Sequence, residues 1–532
     1  MYQLSSDQQE AFDYITDNLI KERVILLEGS AGTGKTTLTK SICNYYNENK
    51  NVSVCAITPT HKSKKIIKNV LNENTIIPIS ALTVASALGK IKEHSYVGTK
   101  KYSNGSSKKL SSYGLFIVDE VSMIRDEDLK LIIAYVMEAK KQMLIIGDSN
   151  QIPCPNAKFI ITTIIEKADS YIFNDDTITQ LCLSEIVRQA EDSPIIKLSS
   201  FIKDNLLEDF PFTTLISATN FTNIIKYSDA YEVFKTHYTP NAVNSCRIIA
   251  YTNTAVRTHN LEIRNHLEYE EEFVVGELMT GYTNLGWPDL IIENGEDYFI
   301  TKVEDTTTHK ISNFTMLNGK LIQMKVADSN TVIKNLFFVN INHPNNNALI
   351  SKIIELGEKI NNRDSTKLDF RKYMELKNIV IFTEDIYKYE DTIYTENTFK
   401  ESHPLLFVNV NEIIENYQLK DNALSKKIKT NYQNVIENRI QDKYKQLGDS
   451  ESFADKYKVI EKDIYYGYSI TAHKSQGSTY MSVIVDEPEF QKISNKWNYK
   501  YNKMESRIKE KNQLRYVAYT RAKHNLFIIY DK

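Results

Sequence analysis

The sequence predicts an α/β protein made of two doubly wound parallel-sheet domains, the second split by a long β-rich insertion. Three observations carry that prediction: short apolar, β-branched runs that alternate with helical patterns, the return of the same alternation late in the chain, and a change to extended alternating stretches in between. A length of 532 residues allows roughly three or four domains at ~150 residues each. Hydrophobic residues at 42% and charged residues at 25% exclude a disordered or fibrous chain.

The first domain is expected over 1–170. Runs at 24–27 (Val-Ile-Leu-Leu), 52–58, 115–119 and 143–147 read as buried parallel strands. Between the last two, Asp126 can cap a helix that places Leu129, Ile132, Ile133 and Val136 on one face. The strip 90–109 carries six lysines against the single acid Glu93. Within this 90–112 excursion, Asn104-Gly105 is a good hairpin turn with the extended-chain formers Tyr96, Val97 and Tyr102 nearby. A mobile charged loop has the same composition.

The second domain is expected over 171–275 and 464–532, with strands at 247–252, 481–486 and 525–530. In the insertion, 276–463, stretches at 298–303, 321–326 and 332–341 alternate as in a small antiparallel barrel. Charged helical stretches at 348–377 and 425–462 are either arms on that barrel or solvated helices in a supporting role.

Lys and Arg number 65 against 68 Asp and Glu, a formal net charge of -3, so any nucleic-acid site must be a local groove. The five cysteines (Cys43, Cys55, Cys154, Cys182, Cys246) are never spaced C-x-x-C, which argues against a disulfide framework or a zinc site and for a reducing compartment. A polar N-terminus and the lack of an apolar run of ~20 residues predict a soluble, intracellular chain with no membrane partner.

Gly29-Ser30-Ala31-Gly32-Thr33-Gly34-Lys35-Thr36-Thr37 follows a predicted strand and opens a predicted helix, the context a phosphate loop requires. The glycines let the backbone curl so that its N–H groups converge on phosphate oxygens. Lys35 neutralises the β- and γ-phosphates, and Thr36 offers a hydroxyl to Mg2+. Asp119-Glu120 ends the next strand but one, where Asp119 can hold Mg2+ through its water shell and Glu120 can polarise the attacking water; such a pair favours hydrolysis over regulation. Gly147-Asp148-Ser149-Asn150-Gln151 would aim Gln151 at the γ-phosphate from the carboxyl edge of the same sheet. Arg188 and Arg521, each following a locally apolar stretch, can act as cations across a cleft or as surface salt bridges. A guanine-nucleotide switch lacks support, because Asn49-Lys50, Asn495-Lys496 and Asn502-Lys503 are not followed by the aspartate of an N-K-x-D string.

Taken in order, these strings resemble the motifs of superfamily 1 DNA helicases. Residues 183–188 (Leu-Ser-Glu-Ile-Val-Arg) with 193–196, and 250–253 (Ala-Tyr-Thr-Asn) with Asn260 and Arg264, are similar to the RecD-like branch, superfamily 1B, and to its T-even bacteriophage members. The resemblance covers most of both motor domains and implies RecA-like folds for both. It implies that Gln8, in Ser5-Ser6-Asp7-Gln8, reads adenine, that Gly29 through Thr37 together with Gln476 and Gly477 bind ATP, and that Arg188 and Arg521 complete the catalytic set of Lys35, Glu120 and Gln151. Strand contacts fall to Pro59, Thr60 and His61, to Thr83, to Asn253, and to Thr471, His473, Lys474 and Ser475 within 470–479.

The same resemblance implies that the 90–112 hairpin is a strand-separating pin and the insertion a Src-homology-3-type barrel with a tower or hook. It further implies ATP and Mg2+ as cofactors, five-prime to three-prime movement on single-stranded DNA and its junctions with duplex, and a role in replication, recombination or repair. The expected setting is a monomeric motor, with single-strand-binding or recombination proteins as partners, in a bacterial or phage-infected cytoplasm. A DNA-stimulated ATPase that remodels nucleoprotein complexes without unwinding is the alternative. Two departures from the family pattern are Cys154, where a second proline often follows Gln151, and Tyr519, where an aliphatic residue is usual. Lys35→Ala is expected to abolish ATP hydrolysis, and Glu120→Gln to bind ATP but turn over slowly; DNA-stimulated turnover retained in Lys35→Ala would refute the assignment.

Overall fold

The computed structural model describes residues 4–73, 75, 77–93, 101–104, 110–153, 158–160, 164–167, 170–185, 193–286, 290–329, 331–362, 364–390, 392–403, 457–498 and 503–531. In the first sheet, six strands run parallel in the order Thr179–Leu183, Val24–Gly29, Gln142–Gly147, Leu115–Val118, Val54–Thr58, Ser80–Thr83. The inner strands are apolar on both faces because helices cover both. Strand alternation sends Ile25 and Leu27 into a core with Ile15, Leu19 and Leu38, and sends Val24 and Leu26 into another with Leu129, Ile132 and Val136.

Asp126 does not cap its helix. The helix Asp126–Glu138 is preceded by Arg125, and the Asp126 carboxylate accepts from the Ser170 hydroxyl at 2.9 Å, a tertiary bond that takes the group from the local cap. Asp126, Glu127 and Asp128 still favour the positive end of the helix dipole.

The second sheet is also wholly parallel, in the order Ile224–Lys226, Ala522–Asp531, Tyr480–Asp486, Cys246–Ala250, Ser469–Thr471. Between its fourth and fifth strands in space, the chain makes the insertion. A six-stranded sheet runs Val380–Ile381, Val332–Val339, Phe314–Val326, Asp297–Ile311, Leu278–Gly281, Ile464–Tyr466, antiparallel except for the first pair. Its outer strands are joined where the Asp463 N–H donates to the Phe382 carbonyl at 2.7 Å, so the sheet curls on itself.

The charged stretch 348–377 is not a projecting arm. It forms two helices, Asn347–Asn361 and Lys367–Lys377, that bury Leu349, Ile353, Tyr373 and Met374 against Leu317 and Phe337 of the sheet. Its amphipathic face, rather than its charge, decides its place. Most of the other stretch, 425–462, lies outside the described residues, and its end forms the strand Lys458–Ile460.

The basic strip forms an antiparallel pair, Lys90–Glu93 with Lys101–Asn104, in which Lys90 faces Asn104 and Glu93 faces Lys101. The connection therefore falls on 94–100, outside the described residues with Tyr96 and Val97. Asn104 pairs with Lys90 at the open end of the hairpin, so the expected turn is not its tip, and Gly105 lies outside the described residues. Sequence reading also missed a parallel pairing of Met504 with Ile164 and Glu505 with Ile165, which links strands from the two domains.

Asp297 is where the three parts of the chain meet. It accepts from Arg247 of the second sheet at 2.9 Å and from the Thr280 hydroxyl at 2.5 Å, and Lys62 of the first domain lies 3.6 Å away. Burial alone would raise its pKa, but Arg247, Lys62 and the Thr280 bond together hold the carboxyl below its ordinary value. Arg247 is 0% exposed, so Asp297→Ala leaves a buried guanidinium without its counter-charge. The expected cost is about 3–5 kcal/mol, read as a lower urea midpoint.

Candidate active site

The glycine-rich string starts at the end of Val24–Gly29 and closes at the helix Lys35–Asn44, whose cap, Gly34, has φ +75°, a conformation glycine adopts without strain. Within the turn, Thr33 N–H and hydroxyl both donate to the Ser30 carbonyl, at 3.3 and 2.9 Å. Lys35 Nζ lies across the loop, donating to the carbonyls of Gly29 at 2.5 Å and Ser30 at 3.0 Å. Gly32 has φ +93°, Thr36 is exposed on the first helical turn, and Thr37 is half-buried beside it. Gln8 braces the loop: its Nε2 donates to the Thr33 carbonyl at 2.9 Å, and its Oε1 accepts from Ser5 N–H in the capping box of the helix Ser6–Glu22.

Asp119 and Glu120 follow Leu115–Val118 at the same edge. Glu120 takes φ +52°, and its N–H donates to Asp119 Oδ1 at 2.9 Å. Burial and the neighbouring Asp119 charge push Glu120 up to about 7, against the opposing pull of Arg521 and Lys35. Asp119 is also raised, chiefly by burial. Three carboxylates, those of Asp119, Glu120 and Asp148, face the two cations Lys35 and Arg521, an excess of negative groups that fits a divalent cation. Among the described residues no group of three or more His, Cys, Asp or Glu could hold a metal, so oxygens beyond the protein's carboxylates would complete its shell.

The second domain supplies the facing wall. Gln476 Nε2 donates to Gln151 Oε1 at 3.0 Å. Gly477, with φ +77°, comes so close that a Cβ there would lie 3.7 Å from Glu120 Oε1. Arg521 is 6% exposed, held by the carbonyls of Val517 and Ser478 at 3.0 and 3.1 Å, and its charge is felt by Glu120. Arg188 lies outside the described residues. Two residues of this wall escaped sequence reading: Tyr516, whose hydroxyl accepts from Ala31 N–H, and Lys203, whose Nζ donates to Ser30 Oγ at 3.0 Å. Burial and the Asp148 carboxylate hold the Tyr516 phenol above its ordinary value, so it stays a donor. Tyr516 precedes Arg521 by five residues, and nothing local marks either it or Lys203 as reaching the phosphate loop.

The strand-contact candidates share one construction. Thr60, Thr83 and Thr471 each follow or end a parallel strand and accept, through Oγ1, an N–H of the helix they open, from Ser63, Ser86 and Lys474 at 3.0, 3.2 and 3.3 Å. Thr252 does the same with Ala255 at 3.1 Å, which leaves Asn253 exposed on the first turn. Thr252 was overlooked beside Asn253, although Thr before a helical run is a cap signal. The four starts come from the ends of two adjacent strand pairs, one at the edge of each sheet.

Other candidates are engaged within the chain. Pro59 precedes the Thr60 cap. His61 Nδ1 lies 3.2 Å from Glu293 of the insertion, and Lys474 Nζ donates to the Gly281 carbonyl at 3.2 Å with the Tyr282 ring beneath it. Ser475 is 0% exposed and donates to the Ala472 carbonyl at 2.8 Å, turning its hydroxyl inward; His473 is half-buried.

Comparison with known proteins adds sequence families to this geometry. Residues 8–156 match the model of an AAA domain, and residues 160–532 match that of the UvrD-like helicase C-terminal domain. The chain is 27% identical over 341 residues to the ATP-dependent DNA helicase dda of Enterobacteria phage T4, covering 57% of this chain and 69% of that protein. It is 27% identical over 183 residues to the ATP-dependent RecD2 DNA helicase of Deinococcus radiodurans, covering 34% of this chain and 22% of that one. Among solved structures, the Pif1 helicase from Bacteroides in complex with ADP-AlF3 and ssDNA aligns with a TM-score of 0.47 and 14% identity over 99% of this chain and 92% of that chain.

On the expectation that Glu120 is the general base, its raised value predicts a pH dependence. A general base must be ionised, and a carboxyl with a value of about 7 is protonated below that pH, so activity is present above it and lost as pH falls through it. The acid limb of kcat/KM for ATP is expected to bend near 7; a bend near the ordinary 4.5 would place Glu120 outside the reacting site.

Proposed function

The chain belongs to the UvrD-like helicase family, ATP-driven enzymes of DNA unwinding, and on that premise we propose how its residues divide the work. ATP is clasped between the two parallel-sheet domains. Lys35 and the N–H groups of the loop hold its phosphates, with Gln8 steadying the loop from behind. Glu120 takes the proton of the attacking water, Gln151 senses the γ-phosphate, and Arg521 neutralises charge on the transferring group from the second domain. Thr36 and Asp119 would hold Mg2+, which supplies further charge neutralisation when bound. A cation of the Arg521 kind is worth ~10³ to 10⁵ in rate, so hydrolysis waits on closure of the domains.

Single-stranded DNA lies across the capped helix starts at Thr60, Thr83, Thr252 and Thr471. Free N–H groups at a helix N-terminus favour phosphate oxygens of any sequence, as a translocating protein requires. Since two of these starts ride on each sheet, closure changes the spacing between grips, and alternate grip and release makes a step. One chain supplies both walls and both grips, which supports a motor that works as a monomer. The observation that carries the reading is the second domain's engagement of the nucleotide edge, with Gln476 on Gln151 at 3.0 Å and Tyr516 on Ala31 of the phosphate loop at 3.0 Å.

The proposed polarity is five-prime to three-prime, and the hairpin of Lys90–Glu93 with Lys101–Asn104 is proposed as the wedge at the junction. The wild-type chain is expected to unwind a duplex with a five-prime overhang and not one with a three-prime overhang. Replacing residues 94–100 by a two-residue turn is expected to spare ATPase stimulated by single strands and to lower unwinding. Stimulated hydrolysis with no unwinding by the wild-type chain would favour a remodelling ATPase, and equal loss of both activities in the shortened variant would make the hairpin a scaffold.

A further inference from the structure

Tyr516 lies on the helix Ile508–Thr520, a little over one turn before Arg521, and is 2% exposed. Its hydroxyl reaches two separate segments of the first domain. It accepts from Ala31 N–H, in the phosphate loop, at 3.0 Å and donates to Asp148 Oδ2 at 2.9 Å. A phenol has one proton to give and lone pairs to receive, so both bonds form at once. The other oxygen of Asp148 accepts from Asn150 N–H at 3.0 Å and from Asn150 Nδ2 at 2.9 Å. Asp148 thereby shapes the turn that ends in Gln151, whose own N–H donates to the Asp148 carbonyl at 3.2 Å.

The adjoining face of the same helix is tied down inside the second domain. Arg515 Nη2 and the Tyr519 hydroxyl donate to the two oxygens of buried Glu487, at 2.5 and 2.6 Å. Tyr516 and Arg521 therefore travel as one body with that domain. In this arrangement of the domains the Tyr516 hydroxyl meets Ala31 and Asp148 while Gly477 of the same domain lies beside Glu120.

Resting on the helicase reading, we propose that Tyr516 is a positioning residue for ATP hydrolysis: its hydroxyl locks the phosphate loop at Ala31 to the Asp148–Gln151 turn in the closed state. Phenylalanine would fill the same volume while leaving the Ala31 N–H and Asp148 Oδ2 without that partner, so the ring isolates the hydroxyl's part. The lock acts on the geometry of hydrolysis rather than on nucleotide capture, which belongs to Lys35 and the loop. A loss in kcat with little change in KM is its signature.

The test uses the full chain and measures ATP hydrolysis with and without a single-stranded oligodeoxythymidylate. Stimulation of the wild-type chain checks the helicase reading on its own. In Tyr516→Phe the stimulated kcat is expected to fall by about tenfold while KM for ATP moves less than about threefold and thermal unfolding is unchanged. Asp148→Ala is expected to lower kcat similarly, and the double variant to be little worse than either single one, because both remove the same lock. A Tyr516→Phe chain with kcat within about twofold of wild type, a loss confined to KM, or losses that multiply in the double variant would overturn the proposal.

Discussion

Parallel strands all point one way, and that constraint arranges everything else in this molecule. Each strand must be left at its carboxyl end by a loop that returns through a helix, so the helix N-termini and the residues just before them collect at one edge. Gly29, Asp119 and Gly147 end three neighbouring strands of the first sheet, which brings Lys35, Glu120 and Gln151 together although the sequence separates them widely. The strand ends at Thr58 and Thr83 lie farther along the same edge. Nucleotide chemistry and strand grip thus occupy adjacent portions of one rim, and a shift of the rim moves both.

Across the domain boundary at the nucleotide site Gln476 bonds to Gln151, Tyr516 to Ala31 and Asp148, and Lys203 to Ser30, and beside them Ile152 and Ala31 of the first domain pack against the second domain's apolar cluster. A net hydrogen bond is worth about 0.5–1.5 kcal/mol, whereas an apolar interface of the same extent would add the full transfer energy of its side chains. A closure that adds a few such bonds to the small apolar contact of Ile152 and Ala31 is one that ligand binding can shift. By contrast, the parts that must not move are welded. Arg247 with Asp297, and Arg515 with Glu487, are buried ion pairs whose disruption strands a charge in the interior.

The phosphate loop, the Asp119-Glu120 pair and the inner strands were legible because their signals are local: glycines at fixed offsets, carboxylates after an apolar run, both faces buried. Edge strands Ser80–Thr83, Thr179–Leu183 and Ser469–Thr471 were not, being short and rich in hydroxyl groups, so no periodicity marks them. The hairpin existed in the composition of the lysine strip, but its register did not, because Asn-Gly is an equally good turn whether it sits at a tip or a base. His61 and Lys474 look free in sequence. Their partners, Glu293 and the carbonyl of Gly281, come from an insertion far along the chain, a meeting that only tertiary structure decides.

Tyr519 shows how a departure from a family pattern can be absorbed. A phenol in place of an aliphatic side chain brings a polar group into a site with 0% exposure, and an unpaired buried hydroxyl costs ~1–3 kcal/mol. Here Glu487 lies within reach, already turned inward to meet Arg515, with a second oxygen to spare. The carboxylate accepts the phenol's hydrogen bond at one oxygen and the guanidinium's at the other, so the added polar atom strengthens an existing anchor. That anchor sits directly behind the turn that carries Tyr516 and Arg521. Tyr519 directs its hydroxyl to Glu487 inside the second domain, so the element that delivers Tyr516 and Arg521 to the cleft is held more firmly.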